Sequence, residues 1–238
     1  MAMIDPLAEL AQVEGVPSAI AAATDAVDAV LRDRGLRTIT ADQRGRALLA
    51  GARANAALSE EPSLWSAGAA RLASELVELA GTIRIAPGQA LARAHVVIAR
   101  GIVTDDELGR VAGGAAVQQR VAGVLDLLTR PQTASALVLG AIVHAEIATA
   151  APFGESSGLI ARAAEHLVLI SSGLDPAAVV VVEAGHAENP TGYRAALAGY
   201  RQGSVAGVRG WILQCAAAVS RGAELSPVNP RRADEPDR

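Results

Sequence analysis

The 238-residue chain is long enough for one domain with a full core. Its net charge is −4, every one of its basic side chains is Arg, and no basic block precedes Arg231-Arg232, which excludes a nucleic-acid-binding face. Apolar residues reach 51% but aromatics only 2%, so the core has to be built from closely packed helices of Ala, Leu, Val and Ile. The single Cys215 excludes an internal disulfide and a cysteine-cluster metal site. The longest apolar run, Ala134–Val143, is closed by His144 and Glu146 and is too short to span a bilayer. The first residues lack the basic segment and apolar core of a secretory signal, so a cytoplasmic, bacterial protein without a membrane or nucleic-acid partner is expected.

Residues 5–34 read as two short helical patterns broken around Gly15-Val-Pro17, with Ser18 capping the second and Gly35 ending it. Thr40 or Asp42 opens the next helix, through Leu58. Ser63–Thr82 comes next, with Leu72, Leu76 and Leu79 on one side and Glu75 and Glu78 on the other. Gln89–Arg100 is a further helix that carries His95, read as a packing histidine. Gly101–Gln119 reads as a loop region in which Asp105-Asp106-Glu107 acts as a helix N-cap cluster. Arg120–Thr129 is helical and stops at Arg130-Pro131. A long apolar helix from Ser135 to Thr149 contains His144 as a hydrogen-bonded structural histidine. A second apolar helix runs from Leu159 to Ser171. His186 comes after a Val-rich segment of extended character and reads as part of a surface loop, with a metal or acid–base role as the other reading. Cys215 lies on an apolar helix as a buried thiol, and the chain from Pro227 reads as a disordered tail.

Between the two apolar helices stands Ala151-Pro-Phe-Gly-Glu-Ser-Ser-Gly-Leu-Ile-Ala-Arg162. Pro152 marks the helix exit, Gly154 and Gly158 relax the backbone, and Ser156 or Ser157 can cap the second helix. One reading is a capped helix start. The other is an anion site of small residues and backbone N–H groups at a helix N-terminus, with Glu155 beside it to hold a divalent cation such as Mg²⁺.

This stretch resembles the signature of the Fic (Fido) family, His-Pro-Phe-x-Asp/Glu-Gly-Asn-Gly-Arg-x-x-Arg, which also lies between two helices. Val143-His144-Ala-Glu146 ahead of it, His166 to Pro176 behind it, and Gly192-Tyr193…Gly203…Trp211 are similar to the family's flanking helices. The resemblance implies an all-α, Fic-like fold with little or no β-structure. It divides the chain into an N-terminal helical extension (1–44), a Fido-like helical domain (45–222) and a disordered C-terminal tail (223–238). Family enzymes transfer a nucleotide monophosphate, usually AMP, to a protein hydroxyl, which makes ATP or another nucleotide with Mg²⁺ the implied cofactors. Carried onto this chain, the metal acid is Glu155, and the nucleotide or phosphate contacts are Gly154, Ser156, Ser157, Gly158 and Arg162.

The departures bear on activity. The motif His, which acts as general base, is Ala151; the Asn is Ser157; the first phosphate-binding Arg is Leu159. A methyl group cannot accept a proton, so a base contribution of roughly 10²–10⁴ in rate is lost. His144 stands seven residues back, roughly 10 Å along a helix, too far to replace it. The segment around Asn55, Ser59 and Glu60 resembles the family's inhibitory helix, Ser-x-x-x-Glu-Gly, with the acid displaced by one residue. Within 101–119, Gly109-Arg110 is all that resembles the family's Gly-x-x-Arg segment, and no alternating apolar run supplies the target-docking flap expected there. The expectation is a degenerate Fido-domain protein that lacks standard AMP transfer and acts as a binding or regulatory module with a protein partner. The alternatives are a divergent nucleotide- or phosphate-handling enzyme that keeps the loop 152–162, and an assembly protein forming homo-oligomers through Ala-rich helical surfaces.

Overall fold

The computed structural model describes residues 5–34, 39–131 and 133–228. Among them are eleven α-helices: α1 (Pro6–Leu10), α2 (Val16–Arg34), α3 (Ala41–Ala57), α4 (Pro62–Ile83), α5 (Pro87–Ala99), α6 (Ala115–Thr129), α7 (Ala136–Ala150), α8 (Ser157–Ser171), α9 (Val182–Ala187), α10 (Pro190–Arg201) and α11 (Val205–Glu224). No strand occurs among the described residues, only an isolated bridge between Arg100 and Val103. The fold is all-α.

Local chemistry sets most helix starts. Thr40 and Gln43 form a reciprocal capping box ahead of α3, and Ser135 and Ser204 cap α7 and α11 through their hydroxyls. Several expected boundaries shift. Helix α2 opens at Val16, which places Ser18 inside its first turn; Gly35 lies outside the described residues. Helix α6 begins at Ala115 rather than Arg120, because the Ala and Gln residues there sustain a helix and Gly113 turns the chain at φ 109° before them. The Glu107 carboxylate closes a turn onto the Thr104 N–H and hydroxyl, so the 105–107 acids cap no helix. The Val-rich segment is buried but pairs with no strand. The Asp175 carboxylate accepts from the N–H groups of Val179 and Val180, and the Gly222 carbonyl accepts from that of Val181. Helix α11 runs to Glu224, and Ser226 and Val228 are buried, so packing continues past residue 222; residues 229–238 lie outside the described part.

Helices α7 and α8 form the centre, each buried along nearly its whole length. Neither has a polar face because neither has a solvent face. Helices α4 and α5 pack on one side, α4 resting on α3 and α8. On the other, α11 contacts α2, α7, α9 and α10. Leu7 and Val16 join the main core, whereas Ala23, Val27 and Val30 of α2 join a second apolar cluster with Val179–Val182 and Val219.

With so few aromatics, stability depends on helices approaching closely at glycine. A Cβ at Gly68 of α4 would overlap the Ile98 carbonyl oxygen of α5, whereas one at Gly81, in the same helix, meets nothing within 4 Å. Gly68→Ala is expected to lower unfolding stability by about 1–3 kcal/mol. Gly81→Ala is expected to raise it by about 0.5–1 kcal/mol, through helix propensity alone. Urea denaturation of the two variants checks the pair, and equal effects would contradict the packing.

Candidate functional site

Three observations bring α7 and α8 into register. Gly140 leaves room for Glu165, whose Cγ would lie 3.3 Å from a Cβ there. His144 comes one turn after Gly140 and so faces the same residue, and Arg162 lies one turn before Glu165 on the same side of α8. The result is a buried polar chain through the middle of an apolar bundle.

Arg162 can only donate. Its Nε donates to Asn55 Oδ1 at 2.6 Å, its Nη2 to the Asn55 carbonyl at 3.1 Å, and its Nη1 to the Tyr193 hydroxyl oxygen at 3.1 Å. Asn55 in turn donates to the Leu159 carbonyl at 3.1 Å. Tyr193 gives its own hydrogen to His144 Nε2 at 2.9 Å, which leaves His144 with hydrogen on Nδ1, donated to Glu165 Oε2 at 2.6 Å. His186 Nε2 reaches the same oxygen at 2.9 Å. Among the described residues, Glu165 Oε1 and His186 Nδ1 are buried without a hydrogen bond of ordinary geometry. Trp211 donates to the Ala141 carbonyl at 2.7 Å and lies against His144, His186 and Tyr193; Cys215, one turn further along α11, is buried beside them.

The electrostatics arise from enclosure. Burial raises the cost of charge on Glu165, but His186 and His144 outweigh it and hold the carboxyl well below its usual range. Burial pushes His144 down to about 4 against the pull of Glu165, so the ring is neutral at pH 7. Burial, with the Glu165 charge added, lifts the Cys215 thiol far above its usual range. Arg162⁺ and Glu165⁻ thus balance each other through Tyr193 and His144.

A second buried cluster lies one residue on. His166 contacts Glu183 Oε1 at 3.1 Å and Asp175 Oδ2 at 3.4 Å. Burial opposes its charge, but the two carboxylates win and push it up to about 10.

The motif loop covers this interior. Helix α7 ends at Ala151 in the left-handed region, φ 50°, with its side chain exposed. A single 3₁₀ turn, Gly154–Ser156, leads into α8. Neither serine caps α8: the Ser157 hydroxyl accepts back from the Phe153 N–H, and that of Ser156 donates to the Phe153 carbonyl. Both hydroxyls therefore hold the loop's own backbone. Gly154 and Glu155 are exposed, while Leu159 is buried where the resemblance places a phosphate-binding Arg.

Two cavities flank the loop and share Trp65 and Glu155 as walls. One, of about 260 Å³, is bordered by Ser59, Glu60, Glu61, Glu155, Gly158 and Arg162, so the segment resembling the inhibitory helix does face the motif. Its rim is acidic, and its one cation is Arg162, already hydrogen-bonded inward. The other, of about 380 Å³, has an apolar wall that includes Ile102, Val103, Val111 and Phe153. His95 also lines it. His95 Nδ1 accepts from the Gly109 N–H at 3.1 Å, so the hydrogen is on Nε2, which is buried with no partner among the described residues, and burial lowers the ring's pKa.

Sequence reasoning found the loop, Arg162 and Asn55. It missed what they do for each other, and it misplaced His186, which is fully buried in α9 rather than exposed on a loop. It also missed Glu165 as a site residue. A carboxylate one turn after Arg162 in a largely apolar helix was the available signal.

No protein-family model matches this sequence, and no curated protein matches it. Among solved structures, the chain is similar to a Fic family protein from Desulfovibrio desulfuricans G20, with a TM-score of 0.67, 18% sequence identity, and coverage of 87% of this chain and 74% of that one. At that identity the likeness shows the fold, which is Fic-like.

Two measurements test the interior. Asn55→Leu removes one side-chain acceptor from a buried guanidinium and is expected to cost about 2–5 kcal/mol in urea denaturation; a loss below about 0.5 kcal/mol would mean that Arg162 finds water instead. His166 binds its proton more tightly folded than unfolded. Its contribution is therefore full below about pH 6.5 and is lost as pH rises towards about 10. Stability should fall across that window with a slope approaching about 1.4 kcal/mol per pH unit, and His166→Gln should flatten it.

Proposed function

We propose that this chain is a non-catalytic Fic-fold binding module, its ligand an apolar, uncharged or cationic group held in the cleft beside Glu155. The observation that supports it above others is the state of Arg162. In the resemblance this position grips phosphate; here Asn55 and Tyr193 use all three guanidinium nitrogens. Two of the five Arg162 N–H groups remain, so only a grip that takes Nε or displaces Asn55 or Tyr193 would leave buried groups unpaired, at about 1–3 kcal/mol each.

The remaining chemistry points the same way. Ala151 supplies no base and Leu159 no second cation. Glu60, Glu61 and Glu155 place negative charge around the smaller cavity, which disfavours an anion and accepts a cation. The larger cavity joins an apolar wall to charged side chains, Asp106, Glu107 and Arg110 among them, a pattern suited to an apolar group that carries a polar end. Trp65 borders both cavities, so its fluorescence reports occupancy of either.

A second reading, a divergent nucleotide- or phosphate-handling enzyme, draws on Glu155, which is exposed on the cleft beside the start of α8 and available to Mg²⁺. Calorimetric titration with ATP, ADP and AMP, with and without Mg²⁺, separates the two. The expected outcome is no saturable heat and no transfer of labelled AMP to protein, including by Ala151→His, because restoring a base leaves Arg162 engaged. Micromolar nucleotide binding abolished by Glu155→Ala, an exposed substitution that leaves the core intact, would sink the first reading in favour of the second.

A further inference from the structure

The Glu165 cluster does more than fill the core. His144 from α7, Glu165 from α8, His186 from α9 and Cys215 from α11 each present one ligand atom within 4.8 Å of all the others, and all four residues are fully buried. We propose that these four side chains form a structural zinc site that fastens four helices together beneath the motif loop.

The donor set selects the metal class. Two imidazoles, one thiolate and one carboxylate suit a borderline cation in four-coordinate geometry, and zinc is the common choice for closed sites of mixed nitrogen and sulfur donors. A hard cation such as Mg²⁺ or Ca²⁺ requires six or more oxygens, and this cluster has one carboxylate. At zinc–ligand distances of roughly 2.0–2.3 Å, tetrahedral ligand atoms lie roughly 3.3–3.8 Å apart, within the spread seen here.

Charge and hydrogen bonding also fit. With the Cys215 thiol ionised, thiolate and carboxylate carry two negative charges, which a divalent cation neutralises. Zinc replaces the thiol proton: a Zn–S bond forms, the S–H bond breaks, and the proton leaves to solvent. His186 Nδ1 is a buried lone pair without a hydrogen-bond partner among the described residues, and the Cys215 thiol is close enough to the Glu165 carboxylate to interact with it. A hydrogen-bonded core needs donors at such atoms, whereas a metal site needs lone pairs there. On metal binding the His144 hydrogen shifts from Nδ1 to Nε2 and is donated to the Tyr193 oxygen, the outer partner that orients the imidazole. Because the cluster is enclosed by helices on every side, the ion is taken up as the chain folds.

The experiment uses the full chain, unfolded in guanidinium with chelator and refolded either metal-free, with zinc, or with Co²⁺ as a spectroscopic probe. Zinc in hundredfold excess over its dissociation constant should raise the melting temperature by roughly 5–10 °C. Co²⁺ should give a thiolate-to-metal charge-transfer band and the intense visible absorption of tetrahedral coordination, at one ion per chain. Cys215→Ala should remove the charge-transfer band, and His186→Ala should weaken zinc binding at least tenfold. Equal melting with zinc and with chelator, or a cobalt spectrum without a sulfur band, would overturn the site. So would a zinc shift that survives in both variants. If either variant does not refold, the wild-type cobalt spectrum and stoichiometry decide alone.

Discussion

The close contact of α7 and α8 at Gly140 governs the rest of the molecule. Two helices buried on every face can pack only if one backbone admits the other, and Gly140 does so opposite Glu165. Once a carboxylate is enclosed there it must be satisfied, because an isolated buried charge is too costly to keep. His144 and His186 satisfy it directly, and Arg162 balances it through Tyr193. Those partners come from α7, α9, α8 and α10. The need to pair one charge therefore fixes how four helices are arranged.

The same pairing has a functional consequence. A guanidinium available to a ligand has to keep free donors, and Arg162 has three of its five N–H groups committed to Asn55 and Tyr193. Its principal partner, Asn55, lies on α3, the helix whose end carries Ser59 and Glu60. The segment that resembles an inhibitory helix thus reaches the Arg by an amide four residues upstream of Ser59. The amide accepts from Arg162 and donates to the Leu159 carbonyl, which a carboxylate could not do.

Much of this was legible in the sequence. Apolar patterning placed α4, α7 and α8, Thr40 was one of two residues read as opening α3, and the order of residues from Pro152 to Arg162 identified the fold. What escaped was set by tertiary contact. His186 comes after a Val-rich segment that reads as extended, but the Asp175 carboxylate and the Gly222 carbonyl satisfy that segment's N–H groups and turn it inward, carrying α9 and His186 into the core. Tyr193 and Cys215 are single residues on amphipathic helices, and nothing in their neighbours' identity tells which side chain each will meet. Ser156 and Ser157 misled for a related reason: hydroxyls at a helix start cap it only if the chain enters extended, and here it enters through a 3₁₀ turn.

Enclosure and openness divide the labour within the protein. All four histidines are buried, three in the two polar clusters and His95 against the larger cavity, so no imidazole is placed to take a proton at Ala151. The open face beside Glu155 is apolar and acidic, whereas the cations next to it are either engaged, as Arg162 is, or out at the rim, as Arg110 is. A phosphate-transfer site requires the reverse arrangement, with positive charge preorganised towards the ligand and carboxylates reserved for metal. Arg162 meets that requirement only in part, since three of its five N–H groups are held by Asn55 and Tyr193. The fold has kept the geometry of the loop and committed its charge to the interior.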